Sequence, residues 1–169
     1  EALVSFKSFA ARFPQSTYLS EALFYTGIIY RQKNEPRRAI ENFDQSLQKI
    51  PPAHLEYQIY KQAGLSYSQL NNYRTAIKYY KKALGMSSSQ EERAVISLLL
   101  ARSYQNMGNP SQALEEYLDI LTYNPGIELK ARAKKGLINL ILKIRNTDEL
   151  TSLKRKRELA QEIQGYVYY

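Results

Sequence analysis

Cysteine is absent from the 169 residues, and histidine occurs once, at His54. The first absence removes disulfides, thiolate metal sites and cysteine nucleophiles, and it leaves the redox compartment open. The second removes most metal chemistry, because a ligand set needs His, Cys or clustered carboxylates at fixed spacing and the turn PPAHLE does not supply one. His54 is read as an exposed loop or cap residue. No apolar run approaches the roughly 20 residues needed to cross a bilayer, since ILTYNP and LINLIL are short and interrupted. Phosphate-cradling glycine patterns and a GxSxG elbow are missing too. The adjacent pairs Glu91/Glu92 and Glu115/Glu116 would point about 100° apart on a helix, so they suit solvated faces and first-turn caps. With no catalytic constellation, no cofactor and no metal site in view, the chain is not expected to be an enzyme. Glu1 falls inside a helical pattern with no basic segment, apolar stretch or cleavage site ahead of it, so the chain is read as a piece of a longer protein.

What is present is enough for a core: 44% of the residues are hydrophobic. The net charge of +8 is unevenly placed. Residues 1–125 hold 14 Lys and Arg against 11 Asp and Glu, whereas residues 126–169 hold 10 against 5. The excess lies in KARAKK, with Lys130, Arg132, Lys134 and Lys135, and in KRKR, with Lys154, Arg155, Lys156 and Arg157.

The strongest signal is a period. Ala2, Ala39, Ala76 and Ala113 are separated by 37 residues each time. Four residues after each stands Phe6, Phe43, Tyr80 or Tyr117, and further on comes Pro14, Pro51, Ser88 or Pro125. Ahead of the later three alanines lie Gly27, Gly64 and Ala101, and then Tyr30, Tyr67 and Tyr104. Two helices are therefore encoded per period, with the small residue admitting close helix contact and the aromatics filling the space around it. KNEP, LNNY and MGNP fall at one phase between them and read as turns. Asn109 before Pro110, with Gln112, predicts a capped helix start, and Ser88 with Glu91 or Ser89 with Glu92 predicts another. No segment reads as a strand.

LFYTGIIY followed by AIENFDQSLQKIP resembles the tetratricopeptide repeat: a small residue and a tyrosine in the first helix, then alanine, an aromatic and a proline in the second. The resemblance covers residues 1–125. It departs at Leu23, Tyr60 and Ser97, where an aromatic is expected, and in a period of 37 rather than 34. It implies an all-α, right-handed solenoid of antiparallel helix pairs, with about nine helices. Residues 1–14 would be the second helix of a truncated repeat, 17–51, 54–88 and 91–125 three full repeats, and 126–169 degenerate capping helices ending in one over about 146–164. The additional residues lie in FPQSTYLSEALFYTG. Its P-x-S-x-Y and E-A-x-x-Y-x-G resemble the envelope tetratricopeptide proteins of Gram-negative and related bacteria, such as the lipoprotein of outer-membrane β-barrel assembly and the Tol-Pal-associated coordinator. That likeness implies a bacterial cell-envelope role in the periplasm or at the outer membrane.

Of the 15 tyrosines, Tyr30, Tyr67, Tyr80, Tyr104 and Tyr117 sit at repeat-packing positions, which argues for core rather than a nucleic-acid stacking surface. The concave face, lined by the first helix of each repeat, is the candidate site. The resemblance places Glu21, Phe24, Ile28 and Arg31 there, then Gln58, Lys61, Leu65 and Ser68, then Val95, Leu98, Arg102 and Gln105. That mixture suits a protein or peptide partner with apolar anchors and acidic groups, on a non-enzymatic scaffold. Leu65, Val95 and Leu99 stand where a carboxylate clamp would need polar groups, so clamp-type capture of a terminal EEVD is not expected. The alternative is binding of nucleic acid or lipid headgroups through KARAKK and KRKR, against which stands their reading as a solvated cap. Self-association through the N-terminal helix, where Phe6 and Phe9 lack a neighbour, is a third reading.

Overall fold

The computed structural model describes residues 1–123 and 125–143. All regular structure among the described residues is α-helical. The helices are α1 (Ala2–Arg12), α2 (Leu19–Gln32), α3 (Pro36–Leu47), α4 (Ala53–Gln69), α5 (Tyr73–Met86), α6 (Gln90–Asn106), α7 (Pro110–Thr122) and α8 (Ile127–Lys143). The expected ninth helix, over about 146–164, lies outside the described residues. Two compact units divide the chain between Ser88 and Ser89.

In the first unit α2 pairs with α3 and α4 with α5, α3 packs on α4, and α1 packs on α2. Amphipathic spacing decides which face turns inward: α3 buries Ala39, Ile40, Phe43 and Ser46, and α5 buries Ala76, Ile77, Tyr80 and Ala83. Phe24, Tyr30, Phe43, Leu55 and Ile59 form the core between the pairs. In the second unit α6 pairs with α7, and α8 packs on both. The α7 pattern is the same again, with Ala113, Leu114, Tyr117 and Ile120 buried.

The turns repeat as faithfully as the helices. Asn34, Asn71 and Gly108 adopt φ of 60°, 57° and 71°, the left-handed region where Asn and Gly are best tolerated. Around them Glu35, Asn72 and Asn109 donate their amides to the carbonyls of Tyr30, Tyr67 and Tyr104 at 2.9–3.0 Å. This is a Schellman closure, which satisfies the last carbonyls of the preceding helix. The next helix starts at once. Asn72 accepts from the Thr75 amide and Asn109 from the Gln112 amide, while Pro36 and Pro110 occupy the first turn. Of the two capping pairs expected before α6, Ser89 with Glu92 is used, at 3.1 Å.

The small residue of each first helix has a specific task. A Cβ on Gly27 would lie 2.6 Å from Cε1 of Phe43, and one on Gly64 would lie 2.6 Å from Cδ1 of Tyr80. The aromatic ring of the second helix thus occupies the volume that a side chain would need.

Candidate functional site

The residues expected on the first unit's binding face divide into two groups. Phe24 is 8% exposed, packs against Phe43 at 6.0 Å between ring centroids, and belongs to the core. Ile28 packs against the same cluster. Both serve helix packing, because the side chains of α3 and α4 close over the face that the register alone would leave open. Arg31, Lys61, Leu65 and Ser68 are half-buried. The Lys61 ammonium sits 5.1 Å above the Tyr57 ring. Ser68 shares a 3.0 Å hydrogen bond with the Tyr80 hydroxyl.

In the second unit Leu98, Arg102 and Gln105 of α6 face Arg132, Lys135, Gly136, Asn139 and Lys143 of α8 across a cleft of about 460 Å³. Tyr117 of α7 completes its lining. The spacing explains the convergence: on α6 the residues stand at i, i+4 and i+7, and on α8 at i, i+3, i+4, i+7 and i+11, each a single helical stripe. Gly136 lets the floor form, since a Cβ there would lie 2.6 Å from the Tyr117 hydroxyl. Leu98, 5% exposed, contributes apolar wall.

Four of the nine lining residues are cationic and none is acidic. Arg132 makes only a 4.0 Å contact with Glu128, both side chains being more than half exposed, a pairing that leaves its charge nearly uncompensated. Arg102 and Lys135 are exposed. Burial pushes the Tyr117 phenol above its usual value, and the nearby Arg102 charge offsets this only in part. The hydroxyl therefore stays neutral and donates to Gln105 Oε1 at 2.8 Å, which orients the amide NH₂ of Gln105 as a donor. Such a lining can receive carboxylates through guanidinium and ammonium groups, with Gln105 and Asn139 adding neutral hydrogen bonds.

Residues that the sequence assigned to two separate sites thus meet in one. Leu98, Arg102 and Gln105 came from the groove expectation, and Arg132 and Lys135 from the basic-patch expectation. Lys130 and Lys134 fall on the other side of α8 by helical periodicity. Lys154, Arg155, Lys156 and Arg157 lie outside the described residues. Asn139 and Lys143 were missed, although their spacing from Arg132 places them on its stripe. Tyr117, read as core, is both core and cleft floor. Among the described residues no group of His, Asp or Glu is placed to hold a metal ion, and no helix is long and apolar enough to cross a membrane.

Family models of the tetratricopeptide repeat match residues 21–51, 57–90 and 97–126, together more than half of the chain. Among solved structures, MamA is similar over 96% of this chain and 88% of its own, with a TM-score of 0.71 and 19% identity. The N-terminal domain of stress-induced protein-1 (STI-1) from C. elegans is similar over 71% of this chain and 95% of its own, with a TM-score of 0.61 and 14% identity. The TPR2AB domain of yeast Sti1, in a complex with pHSP90, matches over 90% of this chain and 58% of its own, with a TM-score of 0.63 and 14% identity. At such identities the likeness establishes the fold alone. No curated protein sequence matches the chain.

Proposed function

We propose, for a chain that belongs to the tetratricopeptide-repeat family, that it is a non-enzymatic protein-interaction scaffold whose α6–α7–α8 cleft takes an acidic segment of a partner protein. The observation that carries this reading is the lining: Arg102, Arg132, Lys135 and Lys143 converge on one hollow with no acidic side chain in its wall. Like charges held together in a concave site are unfavourable until an anion enters, so the arrangement favours occupancy by carboxylates. Leu98 offers an apolar contact beside them, and the oriented Gln105 amide adds direction. That a similar helix-pair array in yeast Sti1 is complexed with pHSP90 supports the use of this fold to hold a partner. In the first unit Arg31, Lys61, Leu65 and Ser68 are the proposed contact stripe.

A peptide array tests the cleft. Binding should select peptides with two or more Asp or Glu within one helical turn or one short extended stretch. Selection of neutral or basic peptides, or a selection unchanged by Arg102→Gln with Lys135→Gln, would contradict it. The junction FPQSTYLSEALFYTG carries the finer reading that the scaffold serves bacterial envelope assembly; fractionation of cells expressing the native gene would end it by finding the protein confined to the cytoplasm.

A further inference from the structure

Among the described residues Arg102, Lys135 and Lys143 form no ion pair, and Arg132 has only its 4.0 Å contact with Glu128. The carboxylates of α7 do not answer these cations. After burial, what acts on the Tyr117 phenol at the cleft floor is the Arg102 charge, whereas Asp119 and Glu116 act on Tyr123. The cleft thus gathers four uncompensated cations, and the way its donors are set selects among anions.

Those donors come from three directions. On α8 Lys135, Asn139 and Lys143 follow one another at single-turn intervals, about 6 Å apart along the axis. The repeat step of 37 residues carries Leu98 to Lys135 and Arg102 to Asn139, which sets Arg102 of α6 opposite the middle of that row. From the floor comes the Gln105 amide, whose Oε1 is taken by the Tyr117 hydroxyl at 2.8 Å, so that its NH₂ is left to donate. A carboxylate is planar, carries a single charge and presents two oxygens. A phosphomonoester is tetrahedral, carries about −1.5 to −2 at neutral pH and presents three. Donors on both walls and the floor suit the tetrahedral group, and a guanidinium fork can take two of its oxygens at once. Size points the same way. At about 460 Å³ the cleft is at the small end for a ligand site, so one doubly charged side chain meets its cations better than several singly charged ones.

We propose that the acidic segment taken by the cleft is a phosphorylated one, with a phosphoserine or phosphothreonine seated among Arg102, Lys135 and Lys143 and hydrogen-bonded by Gln105 and Asn139. The proposal rests on the reading of the cleft as the acceptor of an acidic partner segment and names the chemistry of that segment. Leu98 and Arg132, one turn or less before Arg102 and Lys135 on their helices, then meet the residues flanking the phosphorylated one. Phosphorylation of the partner controls binding, because an unmodified serine brings no charge to the cleft.

Three matched peptide libraries test this against the full chain, each with histidine-free random flanks and a central phosphoserine, glutamate or serine. The best phosphopeptide is then remade with each of the other two residues and titrated by fluorescence anisotropy. It should bind about tenfold or more tighter than its glutamate version. Its affinity should fall as pH is lowered from about 7.5 to 5.5, because the phosphomonoester loses its second charge near pH 6 while lysine, arginine and tyrosine side chains do not titrate there. The one histidine of the chain, His54, belongs to the first unit. Arg102→Gln with Lys135→Gln, at exposed positions, should remove the preference for phosphoserine. Glutamate peptides that bind as tightly, with no such pH dependence, would overturn the phosphate assignment and leave the acidic-segment reading standing. Absence of binding in all three libraries would overturn both. A phosphoserine preference that survives in the double variant would put the phosphate elsewhere and overturn the assignment. So would inorganic phosphate that displaces the phosphopeptide at concentrations near the peptide's own Kd, since the ligand would then be a free anion rather than a partner segment.

Discussion

Replacing Phe43 by Tyr should stabilise the first unit. Residues 31, 68 and 105 share one register position, opposite the aromatics 43, 80 and 117. Tyr80 uses its hydroxyl on Ser68 at 3.0 Å, and Tyr117 uses its own on Gln105 at 2.8 Å. Phe43 has no hydroxyl, and in that repeat the Arg31 Nε is buried with no hydrogen-bond partner. A new phenol oxygen at Phe43 would stand where Tyr80 already carries one, over a glycine that leaves room for the ring. The expected gain is one hydrogen bond to a charged donor, less the desolvation of the hydroxyl, or about 1 kcal/mol net. Urea unfolding followed by circular dichroism should show it, as should a rise in Tm of about 2 to 4 °C. The decisive control is Arg31→Met, because Phe43→Tyr should become destabilising there, with a coupling of about 1 to 3 kcal/mol between the two sites. An unchanged or lowered stability in the Arg31 background, or zero coupling, would refute the claim that the register position governs this contact.

Two glycine substitutions should move stability in opposite directions. Gly64→Ala forces a Cβ into the buried Tyr80 ring and should cost about 1 to 3 kcal/mol. Gly85→Ala, in α5 with nothing within 4 Å of the new carbon, should gain roughly 0.5 to 1 kcal/mol, both read from denaturation midpoints. Ile50 holds φ at 53° and is 91% exposed, a left-handed conformation that a β-branched residue adopts only under strain. Ile50→Gly should therefore stabilise by about 1 kcal/mol in the same assay. Alkaline pH should weaken the first unit. Burial, and then the hydrogen bond given to Asp44, hold the Tyr79 phenol above its ordinary value near 10. The unfolded chain therefore loses that proton first, so the contribution is full below about pH 10 and declines as pH rises further. Tyr79→Phe should flatten the fall in urea midpoint between about pH 9.5 and 11, with Tyr60, raised for similar reasons, leaving a residual slope.

The helix pairs were legible because identical contacts must recur: a ring at Phe43, Tyr80 or Tyr117 demands a small residue opposite, and the spacing of 37 carries that demand along the chain. The turns at Asn34, Asn71 and Gly108 were legible for the same reason, since few residues accept a positive φ. The fate of Phe24 was not. Periodicity reports which side of a helix a residue occupies, and it does not report how far a neighbouring helix reaches across that side. The cleft lay within reach of the register. Arg132, Lys135 and Asn139 stand 37 residues after Val95, Leu98 and Arg102, so the concave stripe of α6 recurs on α8. It was not legible because α8 lacks the repeat's tyrosine, so its charges read as a basic patch rather than as a groove wall.

The most direct measurement is calorimetric titration of one acidic peptide, drawn from the array, into the wild-type chain and into the Arg102→Gln, Arg132→Gln, Lys135→Gln variant at low and at high salt. Those side chains are exposed, so the variant should keep its helicity. The cleft account predicts that the wild type binds, that binding weakens as salt rises, and that the variant loses about tenfold or more of the affinity together with most of the salt dependence. Equal affinity and equal salt dependence in the two proteins would contradict it.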